Sequence, residues 1–459
     1  MPGIIIFEVA QLFDVVIIGA GPAGLSAAYS LVKNNSALKI ALFEAGTIRD
    51  KSICSVSKES QCKKCVNCET ITGIGGCFVP FHASKLSFPP SGRRLAKAIG
   101  DNEYYKTCET IWSLYCQLIK TSNLPYPGLA ENINLLENSI LSFKNDLFFI
   151  KYPIHISSEE EHLLFINEIY KILLKCVKIF PDKFIDIIHD VDLKNKTLRI
   201  NNEKIIEFKD IFIATGRHGF NQTQQFFNIN KIYKNEENVN FGIRYMVPSK
   251  YLNIISKLHP DFKLNLQTSE AKFETFCFSN SHNGGQVDFL RYNEFLNIDG
   301  HICISTEGNI KNNLIYGNFA VLYENRKKNI TYREIVLRIN KMFTNNSMRV
   351  QNKYTLFVKN KTELSRFFTE YEFDGIIKFS MDVFRIIADM NKIGIDYLLD
   401  KVYVYGPEVE NIWGEVKFLD DSFRIAENVY AIGDCTGLAQ GVISSMVMGY
   451  RAGEKYGQR

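Results

Sequence analysis

Read for the alternation of apolar and polar positions, the chain predicts elements of two kinds. Phe13 to Ile18 is an apolar run long enough for one buried strand, and Ile40-Ala41-Leu42-Phe43 is a second. Between them a stretch of small residues through Leu31 predicts a helix. Helical spacing returns from Leu95 to about Ile119 and from Glu159 to about Val177, where Leu163, Ile166, Ile169, Leu173 and Val177 share one face. Phe184 to Leu193, Thr197 to Ile200 and Ile205 to Ile213 read as strands. From Val239 to about Val404 the character changes. Short alternating stretches, Phe241 to Tyr245, Lys272 to Phe278 and Leu314 to Tyr323, predict a mainly β region with some helices. Asn428 to Asp434 is again strand-like, and Gly441 to Lys455 helical. The predicted architecture is an α/β domain made from residues 1–238 and 406–459, with a mixed, mainly β domain inserted at 239–405.

The connections add chemistry to this pattern. Gly19-Ala20-Gly21-Pro22-Ala23-Gly24 lies between the first strand and its helix, the place of a dinucleotide-binding turn. Gly19 permits the tight turn, Gly21 lets a pyrophosphate approach the backbone, and Gly24 lets helix and strand pack closely. The helix N-terminus then presents N–H groups and a partial positive charge to the phosphates. Glu44, followed by Ala45, ends the second strand at the spacing of a ribose acceptor. Ala214-Thr215-Gly216 marks a return to the same sheet. Gly433-Asp434, followed by Gly441-Val442 at a helix start, places an acid for a ribityl hydroxyl and a second helix N-terminus for phosphate or flavin. The two ends of the chain thus bracket one FAD. Thr72 to Phe78 carries another glycine cluster, with Gly75 and Gly76, but no strand precedes it; it suits backbone passing beside a flat ligand. No second strand–GxGxxG–helix unit exists for NAD(P)H. Either a nicotinamide docks directly over the flavin, or electrons come from the organic substrate or a redox protein partner.

Composition narrows the setting. A chain of 459 residues has room for two or three domains. A net charge of +4 gives no reason to invoke nucleic acid or an acidic membrane surface. No apolar run reaches membrane-spanning length, and the first residues lack the basic start of a signal peptide, so a cytoplasmic location is expected. The 11 cysteines include a tight cluster, which suits reduced thiols or a metal better than a disulfide scaffold. Cys62, Cys65 and Cys68 have the opening spacing of a ferredoxin-type run, and Cys54 or Cys77 can supply a fourth thiolate to zinc or an iron–sulfur cluster. The competing reading is a reduced structural loop.

Candidate catalytic groups are Lys85, able to reach flavin or an anionic substrate or simply to be solvated, together with His82, His282 and Cys77. His218 and His301 also lie in or beside motif segments, and any of these histidines can act as acid or base near neutral pH. Arg244, between apolar neighbours, either clamps a carboxylate or pairs with an acid of its own domain. Cys435 reads as a packing residue, with a stabilised thiolate at a helix start as the alternative.

Several stretches carry a resemblance over nearly the whole chain: Cys62 to Cys68, Gly73 to Cys77, Ser84-Lys85-Leu86, Gly242-Ile243-Arg244, Phe276-Cys277-Phe278, Gly284-Gly285-Gln286-Val287, Asp299-Gly300-His301 and Gly433 to Gly453. With the FAD motifs, they make the chain resemble the FAD-dependent dehydrogenase family of the NAD(P)/FAD oxidoreductases, within the glutathione-reductase-like FAD-binding superfamily. The resemblance implies a Rossmann-type FAD domain with an inserted substrate domain, and hydride transfer between flavin N5 and a small organic substrate. Flavin monooxygenase and electron-relay activities are the alternatives. Where the family usually has Gly-Ala-Gly and then Ser-Asp-Gly-Lys-Leu, this chain has Cys77-Phe78-Val79 and His82-Ala83-Ser84-Lys85-Leu86. Bulk replaces glycine beside the expected isoalloxazine, so either a different substrate pocket or an altered or lost activity is expected.

Overall fold

The computed structural model describes residues 11–48, 65, 67–68, 71–76, 82–83, 85–121, 124–144, 146–200, 204–233, 238–292, 295–303, 310–311, 314–342, 350–360, 363–412 and 414–458. Its organising layer is a mostly parallel sheet. The strand order is Arg424–Ala426, Val429–Ala431, Lys204–Ile213, Gln11–Ile18, Ile40–Phe43, Val177–Phe180. The last five run parallel to one another. The apolar runs read from the sequence are the middle of this sheet, and alternate residues serve opposite faces: Val15, Ile17 and Leu42 pack into one core, Val16, Ile18 and Phe43 into the other. That two-sided burial is why these strands show no polar alternation.

The two ends of the chain meet through the helices Pro22–Asn34 and Val442–Gly457. A Cβ at Gly449 would lie 2.0 Å from the Ala23 carbonyl oxygen, and one at Gly453 2.7 Å from that of Ala27. Ser26 Oγ also donates to the Met446 carbonyl at 2.9 Å. Small residues on both helices let the backbones touch, and this contact brings Gly433-Asp434 beside the first glycine turn.

The second sheet is antiparallel, in the order Val350–Lys353, Tyr403–Ile412, Asn238–Pro248, Leu314–Asn325, Ala271–Ser279, Lys263–Gln267, Leu147–Ile150. Leu147–Ile150 joins it from within 1–238, and Tyr403–Ile412 runs across the expected boundary at 405. A 21-residue helix, Glu370–Met390, covers one face and starts in a capping box made by Thr369 and Glu372. A three-stranded ribbon, Gly285–Tyr292, Phe295–Cys303 and His82–Ala83, lies beside it.

Three elements differ from expectation. The helix expected from Leu95 to Ile119 is two helices, Arg93–Ile99 and Asp101–Leu118, broken at Gly100, whose φ is +90°. The helix Glu159–Leu174 stops before Val177, which opens the edge strand paired with Ile40–Phe43. Phe184 to Leu193 holds only the two strand residues Val191–Asp192. Asp186 accepts from the Ile188 N–H and Asp190 from the Asp186 N–H, each at 2.9 Å, so aspartate side chains take the donors that a ladder would need. No described helix is long and apolar enough to cross a membrane.

Candidate active site: a dinucleotide cleft and its acidic wall

The strands of the parallel sheet release their loops along one edge. In order across it stand Asp434, Ala214 to Gly216, Gly19 and Gly21, Glu44, and Lys183 to Ile185, all lining one cleft. Five strands about 4.8 Å apart span roughly 19 Å, the reach of an extended dinucleotide. The cleft holds about 1490 Å³ of space not filled by protein, its mouth included.

The glycines test whether a cofactor belongs there. Gly19 has φ +105° and its Cβ would lie 2.3 Å from the Ala214 oxygen; a Cβ at Gly24 would lie 1.9 Å from the Gly19 oxygen. Folding alone requires those two. Gly21 is different: its φ is −74°, open to any residue, and its Cβ would meet nothing within 4 Å. No protein atom near it requires that position bare, whereas a pyrophosphate in the cleft would. Neither the helix at Pro22 nor that at Val442 has a side-chain cap, which leaves first-turn N–H groups for an anion. FAD fits this donor set.

Glu44 does more than its expected ribose role. Its Oε2 accepts from the Ala20 N–H at 2.8 Å, and its Oε1 from Gly46 at 2.9 Å and Gly73 at 2.8 Å. It lines the cleft while tying the first glycine turn to the second, where Gly75 donates to the Ala20 oxygen at 2.8 Å. Of the expected cofactor positions, Ala20, Gly24 and Gly75 stand behind the lining and the rest are in it.

The same cleft is lined by Asp299 and His301, from the strand Phe295–Cys303. Behind them is a charged network centred on Arg244, whose acidic partners the sequence did not identify. Arg244, fully buried, donates to Glu408 through Nε at 2.6 Å and Nη2 at 2.5 Å, and through Nη1 to Asn318 Oδ1 at 2.6 Å. Asp299 lies 3.8 Å from the same guanidinium. Gly300 carries no side chain because a Cβ there would sit 1.9 Å from Arg244 Nη1. Nearer the cleft, Arg217 bridges Glu410 at 2.8 Å and Asp434 at 3.4 Å.

Two guanidiniums therefore face four carboxylates. Burial would raise Asp299, but His301, Arg244 and Arg217 outweigh it and hold its carboxyl below the ordinary value. For Glu408 and Glu410 burial wins, and Glu410, which shares Arg217 with Asp434, is pushed up to about 8. The folded protein thus binds a proton at Glu410 that the unfolded chain releases above its ordinary value of 4.5. Stability is lost as pH rises from there through about 8. Glu410→Gln is expected to remove this loss, worth on the order of a few kcal/mol. Denaturant unfolding at a series of pH values checks it: the curves for the two proteins should diverge with rising pH, and parallel curves would refute the assignment.

Of the acid, base and nucleophile candidates named from the sequence, His301 and His218 line the cleft, Lys85 and His282 do not, and Cys77 and the side chain of His82 fall outside the described residues. Lys85 donates to Asp261 at 2.7 Å and to the Phe278 carbonyl at 2.8 Å, outside the cleft lining. Tyr152 completes that cluster with a 2.6 Å bond to Asp261. His282 is exposed in the turn before Gly285–Tyr292. His82 opens a strand paired with Phe295–Cys303, its side chain outside the described residues, as is Cys77. His218 lines the cleft at the Glu44 side, 3.2 Å from Asn67, and burial lowers its pKa. Cys435 is buried and donates to backbone carbonyls, as a packing residue does. Cys54 and Cys62 fall outside the described residues, Cys65 and Cys68 are half-buried, and among the described residues no cluster suits a metal. The missed residues, Glu408 and Glu410, were signalled by charge in an apolar strand, and Arg244 pairs with an acid as the second of its two expected readings has it. A buried charge demands a partner, but not a named one.

Residues 13–247, just over half of the chain, match the sequence profile of the family described as pyridine nucleotide-disulphide oxidoreductase. No curated protein matches the chain. Solved structures resemble it at low identity. A tetracycline destructase is 11% identical over 98% of this chain and 82% of its own, with a TM-score of 0.37. A geranylgeranyl bacteriochlorophyll reductase-like protein from Thermoplasma acidophilum is 11% identical over 98% and 78%, at 0.39. Glycine oxidase from Bacillus cereus is 11% identical over 97% and 96%, at 0.36.

Proposed function

The chain belongs to the pyridine nucleotide-disulphide oxidoreductase family, and from that premise we propose that it moves hydride between FAD and a small organic substrate held against Asp299 and His301. The observation that carries this reading is the pair of unlike walls: bare glycine turns and uncapped helix ends on one side, ionisable side chains of the inserted domain on the other. When bound, FAD supplies the two-electron chemistry. The protein's own part is placement. Gly21 and the helix at Pro22 receive the pyrophosphate, Glu44 fixes the adenosine side, and Asp434, oriented by Arg217, receives the ribityl chain. The strand Phe295–Cys303 closes the far side and screens the reacting atoms from water.

The electron donor or acceptor is a nicotinamide docking over the flavin or a redox protein partner, since no second dinucleotide turn is present. An anaerobic assay tests the reading. The FAD-loaded protein is mixed with NADH, NADPH and a panel of alcohols, amines and enones, and the visible flavin absorbance is followed. Bleaching by a hydride donor without oxygen is expected. Product formation only when oxygen is supplied would move the protein to the monooxygenases.

A further inference from the structure

Hydride transfer to or from an organic molecule leaves one proton to be moved separately. When a C–H bond gives its electron pair to the flavin, the adjacent X–H bond breaks too: its electrons form C=X and its proton must go to a base. In the reducing direction the same proton is returned. We propose that His301 carries this proton and that Asp299 is its positioning partner; the proposal rests on the hydride reading above.

Three observations support it. Among the described residues, Asp299 and His301 are the inserted-domain side chains in the cleft lining, and as alternate residues of one strand they face the same side. His301 Nε2 lies 3.8 Å from Asp299 Oδ2. That separation becomes a hydrogen bond with a small movement, and bonds between catalytic groups commonly tighten only once substrate is present. Asp299 is itself fixed, its Oδ1 accepting from the Gly300 N–H at 2.7 Å with Arg244 3.8 Å away. A carboxylate so held stays ionised, ready to balance the imidazolium that forms when His301 takes the proton.

The alternatives in the cleft are weaker. His218 sits by Asn67 and Phe184 on the Glu44 side. Lys85 is committed to Asp261 outside the lining. His301 faces Asp299 on its own strand, and the charged and titratable groups that act on Asp299 include Arg244 on Asn238–Pro248, Cys277 on Ala271–Ser279, and Glu408 and Glu410 on Tyr403–Ile412. Arg217 and Asp434 complete the set from the cofactor side.

The test reads protons against electrons and needs no known substrate. Native protein, His301→Gln and Asp299→Asn, each loaded with FAD, are equilibrated with a reference redox dye from about pH 5 to 9, a window around the ordinary imidazole value of ~6.5. Reducing the flavin adds negative charge beside His301, so the native protein is expected to take up one more proton per electron pair than H301Q where the imidazole titrates. In D299N this extra proton should be lost at lower pH, because the imidazolium has lost its counter-ion. Equal proton uptake by native protein and H301Q, both with full FAD, would overturn the proposal and leave the hydride reading intact. Failure of native protein to hold FAD would overturn both. Should H301Q alone lose its FAD, the His301 C2 proton followed by NMR in both redox states of the native protein decides: its titration must move up on reduction, and an unmoved titration counts against His301.

Discussion

Gly21→Leu is expected to fold and to lose its FAD. The backbone there has φ −74° and ψ −174°, allowed for any residue, and a Cβ meets no protein atom within 4 Å. The added side chain enters the space that a pyrophosphate requires at the N-terminus of Pro22–Asn34. Affinity for FAD should fall at least about a hundredfold, close to 3 kcal/mol, with the thermal midpoint of the apoprotein within about 2 °C of native, as for a substitution that disturbs no packing. Gly24→Leu is the contrasting control. There the first added carbon strikes the Gly19 carbonyl oxygen at 1.9 Å, so the fold itself should fail. Retained FAD in G21L, measured by absorbance after gel filtration, would contradict the assignment.

Arg244→Met is expected to be the most destabilising single change in the antiparallel sheet. The guanidinium is fully buried and satisfies Glu408 twice, Asn318 once and the Cys277 carbonyl once. Removing it strands Glu408 in a low-dielectric interior with Asp299 nearby. Breaking one partner of a buried pair costs about 3–5 kcal/mol, a large share of the roughly 5–15 kcal/mol that holds a typical protein folded. The loss should ease in acid, where Glu408 becomes neutral, because burial already raises its carboxyl above the ordinary range. Adding Glu408→Gln to R244M should recover part of the stability. Denaturant unfolding of the two single variants and the double variant measures it, and additive effects would show that the pair is not coupled.

What the sequence could reveal divides by range along the chain. The first glycine turn, its strands and its helix are local, each residue's task set by neighbours a few positions away, and their order alone implied the cofactor. The closing segment was legible for the same reason, although the contact that places it, Ser26 with Met446, spans 420 positions. The helix Glu159–Leu174 showed its periodicity, but its end did not, because Val177 is apolar and fits the helical face as well as the edge strand it joins. Asp186 and Asp190 override an apolar run through side-chain bonds that composition hides.

The substrate side was less legible. Arg244 was visible as a charge among apolar neighbours, yet its partner is 164 positions away, and Arg217 finds Glu410 across 193. Lys85 looked available in sequence and is engaged by Asp261, 176 positions on. His301 stood among four motif histidines. Its place in the cleft lining together with Asp299, two residues away on the strand Phe295–Cys303, separates it from the others.

The central claim is that this chain holds FAD across the edge of its parallel sheet, and the most direct measurement is the flavin content of the purified native protein. Heat-released cofactor is identified by mass and quantified against protein. Close to one FAD per chain is the predicted result, either as purified or after incubation with added FAD. A protein that stays colourless and binds no FAD when it is supplied would contradict the account at its base.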